Sequence, residues 1–140
     1  MKRRLAIACV IAMAAVAEAE TPGIDVRVAA RVEVVQGETA PLAITFAVDR
    51  GLVVSKDAAV IVDLAPPAGV HLKKRRLGRA EAVDPGADAP RYAVPVRGDT
   101  VGEHTLPVRV RLWLCGGKVC RPVDVRQTAT VVVVAPPPPP

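Results

Sequence analysis

Aromatic side chains are nearly missing from this chain: one Phe, one Tyr and one Trp among 140 residues. Any core it builds is therefore aliphatic, with Phe46, Tyr92 and Trp113 as the only rings. Methionine is confined to Met1 and Met13, so no thioether follows to serve a soft copper site. Histidine occurs twice, as His71 and His104, each near a strand end and neither with a carboxylate at useful spacing. No nucleophile–base pair results. No glycine loop is built to cradle phosphate, and there is no internal repeat. A self-contained enzyme is not expected, and no cofactor is implied.

A strong charge of one sign is also absent. The whole chain carries a formal +5. Lys2, Arg3, Arg4 and Glu18 fall in the N-terminal segment, and the 16 basic and 13 acidic side chains that remain leave only +3. That is too little to argue for a nucleic-acid partner. The densest basic run, Lys73-Lys74-Arg75-Arg76 with Arg79 nearby, reads first as a solvated loop or an edge strand, where lysine blocks mispairing. An anionic partner surface is its sharper reading.

Long apolar runs are absent except at the start. Met1-Lys2-Arg3-Arg4 is a positive leader, and Leu5 to Val16 is a twelve-residue apolar stretch. A membrane span takes about 20 such residues. Ala17-Glu18-Ala19 supplies small residues at the −3 and −1 positions of a signal-peptidase site. Residues 1–19 are thus expected to be a signal peptide cleaved after Ala19, which sends the protein to the periplasm or out of the cell, with no membrane span after cleavage. Cys9 would leave with it. Leu5-Ala6-Ile7-Ala8-Cys9 faintly echoes a lipoprotein box, but the apolar run continues past the cysteine.

Residues 20–134 make one domain of strands. Val26, Val28, Ala30, Val32 and Val34 alternate with Arg27, Arg31 and Glu33, the period of a pleated strand with one buried face. Gln36-Gly37-Glu38-Thr39 turns the chain. Leu42, Ile44, Phe46 and Val48 form the next apolar face, and Arg50-Gly51 ends it. Ala59 to Leu64 is nearly continuous and reads as a central strand. Pro66-Pro67-Ala68-Gly69 breaks it, and Val70 to Leu72 resumes. Gly78 to Pro90 reads as a loop. Tyr92 to Val96 contains Pro95 and reads as an edge strand. After the Gly98–Gly102 turn, His104 to Leu114 and Val123 to Val134 are the longest strands. The expected fold is all-β, an immunoglobulin-like sandwich of seven or eight antiparallel strands, with a small barrel as the alternative. Pro136 to Pro140 cannot extend a sheet, and residues 135–140 form a proline-rich tail.

The two remaining cysteines flank a short loop: Cys115-Gly116-Gly117-Lys118-Val119-Cys120. Placing Cys115 opposite Cys120 sets Leu112 against Val123 and Val110 against Val125, both apolar. On the other face it sets Trp113 against Pro122 and Arg111 against Asp124. Stacking and opposite-charge pairs of this kind stabilise antiparallel ladders, so the register is supported without the cysteines. Directly opposite Cα atoms about 4.5 Å apart are within reach of a disulfide. By parity, Cys115 shares a face with Trp113, Arg111 and Arg109, away from the aliphatic core, where positive charge would favour thiol exchange. A structural staple is the bland alternative, and its six-residue loop contributes roughly 2 kcal/mol. A metal site with His104 or His71 is a third, against which the four-residue cysteine spacing counts.

These residues resemble a family. The strand ending in Cys115, the short loop, Cys120 followed by Pro122, and the sandwich pattern from Gly37 to Val134 look like the N-terminal periplasmic domain of DsbD-type thiol:disulfide interchange proteins. The resemblance implies that Cys115 and Cys120 are a redox pair. They would pass electrons to or from a partner redox or periplasmic protein. The family tends to surround its cysteines with aromatics; here Trp113 is the sole neighbour, and the loop after Gly78 is the candidate cover. No transmembrane or thioredoxin module follows in this chain, so a stand-alone interchange module is the expectation. A structural or protein-binding sandwich with an inert staple is the alternative.

Overall fold

The valine-rich alternation folds as two packed β-sheets in the computed structural model, which describes residues 21–140. The expected signal peptide lies outside the described residues. Ten strands run in order: β1 (Ile24–Val28), β2 (Arg31–Val35), β3 (Thr39–Val48), β4 (Val53–Val54), β5 (Ile61–Leu64), β6 (Val70–His71), β7 (Arg76–Leu77), β8 (Tyr92–Gly98), β9 (Gly102–Gly116) and β10 (Val119–Val134). One sheet has the order β1-β3-β8-β6. The other has β2-β10-β9-β5-β7, with β4 also paired to β9. The architecture is the expected immunoglobulin-like sandwich. A short 3-10 turn at Arg79–Glu81 interrupts the loop that follows β7. No helix among the described residues is long and apolar enough to cross a membrane.

Two departures from the sequence reading have clear causes. The Val26–Val34 run is not one strand. Ala29 donates its N–H to Ala43 of β3, while Ala30 accepts from Thr130 of β10. The chain changes sheets between two alanines, where small side chains let it cross. β2 then lies parallel to β10, from Arg31↔Thr130 to Val35↔Val134, so the second sheet is mixed and not wholly antiparallel. The other departure is confined to the end of β8, where β6 adds to the strand that was expected to be an edge. β6 reaches only Arg97 and Gly98. At Pro95 the strand is an edge after all, and the residue opposite it is Pro41. Two facing prolines exchange no hydrogen bond, so neither costs the ladder a donor.

The core is aliphatic, as the composition requires. Leu42, Ile44 and Val96 of one sheet meet Leu106, Val110 and Val131 of the other, all essentially inaccessible, and no polar or charged residue is buried among the described residues. Each such side chain contributes about 1.5–3 kcal/mol by leaving water. Phe46 and Tyr92 pack edge to face with centroids 6.3 Å apart. Tyr92 donates its hydroxyl to Gly78 O at 3.0 Å. Burial pushes its pKa up to about 12. Gly98 lies directly against side chains of the facing sheet. A Cβ there would stand 2.6 Å from Val133 Cγ2 and 2.8 Å from Val34 Cγ1.

The Gly78–Pro90 segment is better ordered than its composition implied. The Arg79 guanidinium donates to four carbonyls, those of Pro85, Ala87, Val54 and Ser55, at 2.9–3.0 Å. One side chain thereby fastens the loop to β4. The basic run before it resolves as an exposed connection into the edge strand β7, with Arg76 on Asp63 and Lys74 on Glu81.

Candidate functional site: the cysteine hairpin and its outer face

β9 and β10 form one unbroken ladder from Gly116↔Val119 to Gly102↔Val133. Its register is the one the side-chain pairs demanded: Cys115 opposite Cys120, Leu112 opposite Val123, Trp113 opposite Pro122, Arg111 opposite Asp124. The cysteines form a disulfide with Cα atoms 4.1 Å apart. The ladder continues one pair beyond them, so the turn proper is only Gly117-Lys118. Gly117 has φ +59°, and among the described residues no non-glycine residue has positive φ. Glycine at the first of two central positions is the type II′ pattern, whose twist suits a hairpin. At Gly116 a Cβ would meet the end of the Leu52 side chain, which packs against the turn.

The pleat sorts the outer face of this sheet into rows. Val53 of β4 lies beside Cys115, and Cys115 beside Cys120. In the next row Trp113 lies beside Pro122. Ile61, Arg111 and Asp124 follow, then Asp63, Arg109 and Arg126. The hairpin end of the face is thus apolar and the other end charged. Trp113 is 42% exposed; Cys115 is half-buried and Cys120 exposed.

The charged end corrects one expectation. The arginines beside the cysteines do not offer free positive charge to a thiolate. Arg111 reaches Asp63 at 2.6 Å, and Arg76 meets the same carboxylate at 2.7 Å. Arg109 grips Asp124 at 2.9 and 2.7 Å. The hydrogen bond from Arg76, followed by that from Arg111, holds the Asp63 carboxyl below its ordinary pKa. The bond from Arg109 does the same for Asp124. Arg111 stands opposite Asp124 in the ladder, yet its side chain turns to β5. Arg126 stands opposite Arg109 and has no carboxylate partner among the described residues.

The other sequence candidates do not join the cysteines. His104 lies toward the far end of β9, where its Nε2 meets Thr100 O at 2.7 Å. His71 pairs with Arg97 in the opposite sheet. No cluster of three metal-ligating side chains exists among the described residues. The loop after Gly78 docks on β4, with Val54 N–H donating to Asp88 O at 2.9 Å, and it leaves Cys120 exposed. Sequence reasoning missed Gln127. Its amide accepts from Val28 N–H at 3.3 Å and donates to Val26 O at 2.5 Å. It thereby satisfies the outer backbone edge of β1 from the other sheet. A polar residue at an inward parity position, between Val125 and Ala129, was the available signal.

No protein-family model matches the chain, and no curated protein matches it. Among solved structures it is similar to AggA, the major subunit of aggregative adherence fimbriae type I from Escherichia coli. The identity is 10% and the TM-score 0.39, over 84% of this chain and 100% of that one. A score at that level carries no argument about function, and the fold assignment rests on the strand pairings. The molecule is thus a disulfide-bearing, immunoglobulin-like β-sandwich.

Proposed function

We propose that this is an exported structural or protein-binding β-sandwich module in which Cys115–Cys120 is an inert staple. The observation that carries this reading is the position of the disulfide inside a continuous ladder. Paired residues lie on both sides of it, Leu114↔Arg121 and Gly116↔Val119. Arg111 and Arg109, on the same face as the cysteines, are engaged by Asp63 and Asp124. Those two guanidinium groups are thereby less available to stabilise a thiolate and speed exchange. Export to the periplasm or beyond is inferred from the residue 1–19 signal, and an oxidising compartment is where such staples persist.

The second reading is the one the DsbD-type resemblance implies. Cys115 and Cys120 would be a redox pair exchanging electrons with a partner redox or periplasmic protein. The exposure of Cys120 beside Trp113 favours it. An acid-quench experiment separates the two. Oxidised protein is mixed with a reduced thioredoxin-type dithiol protein, and mixed disulfides are trapped. The staple reading expects none at either cysteine; accumulation of one within seconds would replace it with the interchange reading.

A further inference from the structure

β10 is paired along nearly its whole length on one side and only along its last five residues on the other. β9 accompanies it from Val119 to Val133, whereas β2 meets it only from Thr130 to Val134. From Cys120 to Thr128 the backbone of the second side pairs with no other strand, and only the inward side chain of Gln127 reaches across to β1. Parity shows what that side presents. Thr130 N–H points away from β9 and donates to Ala30 O at 2.8 Å. Alternate residues of an antiparallel strand direct both backbone groups to the same side, and this ladder has no bulge. Thr128, Arg126 and Asp124 therefore aim N–H and C=O at the open edge. Pro122 falls at the same parity, where its missing N–H costs the β9 ladder nothing. The side chains of all four are exposed.

The edge also has a chemical character. Arg126 faces the like charge of Arg109, which already uses Asp124. Like charges directly opposite are destabilising, so a carboxylate beside Arg126 would be favourable. A groove of about 570 Å³ crosses the outer face of the sheet from Asp63 over Pro107 and Arg109, and Arg126 and Thr128 form its β10 end. At the other end, Pro122 adjoins Trp113 and the disulfide. We infer that the β10 edge from Pro122 to Thr128 docks an extended segment of a partner protein, added as an antiparallel strand, with a carboxylate opposite Arg126 and an apolar side chain opposite Pro122.

A second copy of this chain is a poor occupant. Setting Asp124 of one copy against Arg126 of the other would bring Lys118 opposite Val132, the place β2 holds with Glu33. Sliding by one pair sets Asp124 against Asp124. Main-chain pairing would supply the affinity and the two alternate side chains the specificity. The inference rests on the reading of the domain as a protein-binding module, but it does not depend on whether the disulfide exchanges electrons.

The test uses a seven-residue probe, acetyl-Thr-Val-Glu-Val-Thr-Val-Leu-amide, which places Glu opposite Arg126 and Leu opposite Pro122. Amide exchange should slow at Asp124, Arg126 and Thr128 when the probe binds. Methylating the Glu amide nitrogen of the probe should abolish that protection. Arg126→Glu should weaken binding about fivefold, and a probe with Lys in place of Glu should recover it. The Cys115→Ser/Cys120→Ser protein should bind equally well, which separates this inference from the fate of the staple. Absence of protection at the three amides, undiminished binding of the methylated probe, or self-association that excludes the probe would overturn it.

Discussion

Replacing both cysteines with serine should lower stability by about 2 kcal/mol and leave the fold intact. The figure follows from the loop that the bond closes, six residues on the chain-entropy account. The surroundings add little to it. Cys120 is exposed and Cys115 half-buried, so the new hydroxyls meet solvent and carry no burial penalty. The ladder pairs on either side, Leu114↔Arg121 and Gly116↔Val119, hold the strands in register without the bond. The loss should appear as a lower urea midpoint at nearly unchanged m, because a six-residue loop compacts the unfolded chain only locally. For a domain of this size it corresponds to a fall of about 6–10 °C in Tm. A change below about 0.5 kcal/mol, or a variant that does not fold, would refute the reasoning.

Gly98→Ala should cost about 1–3 kcal/mol, because the added methyl meets Val133 and Val34 across the sheets; a variant as stable as the parent would contradict the inter-sheet spacing. Asp63→Asn should flatten the acid limb of the stability curve. Arg76 and Arg111 hold the Asp63 pKa below its unfolded value, so its contribution is present above that value and lost as pH falls through the folded pKa. Urea midpoints taken across the acid range will show whether parent and variant converge there. Tyr92, the only tyrosine, should ionise near pH 12 in the folded protein because of its burial. Its raised pKa stabilises the fold below the unfolded value of about 10 and is lost as pH rises toward 12. Ultraviolet titration with an inflection near 10 in native protein would show that the ring is not buried as described.

Much of the fold could be read from the chain because independent signals agreed. In the hairpin, apolar pairs, a Trp–Pro pair and an Arg–Asp pair all required one register, and that register forms. Period-two valines gave the strands and predicted an aliphatic interior. The sheet change at Ala29–Ala30 was hidden because the alternation runs through it without a break. β4 was hidden because two valines after Gly51 are too short to show a period. The Arg79 clamp, the Gln127 bridge and the turning of Arg111 to Asp63 are contacts distant in sequence, and no local pattern encodes them. The cysteine pairing was legible; its electrostatic setting was not, since Asp63 of β5 takes Arg111 and leaves Asp124 to Arg109.

The reduction potential of the Cys115–Cys120 pair, measured by equilibration against dithiol buffers, tests the staple reading most directly. The account predicts a value below about −300 mV, the range of structural bonds, whereas a value of roughly −180 to −270 mV, the range of exchange proteins, would contradict it.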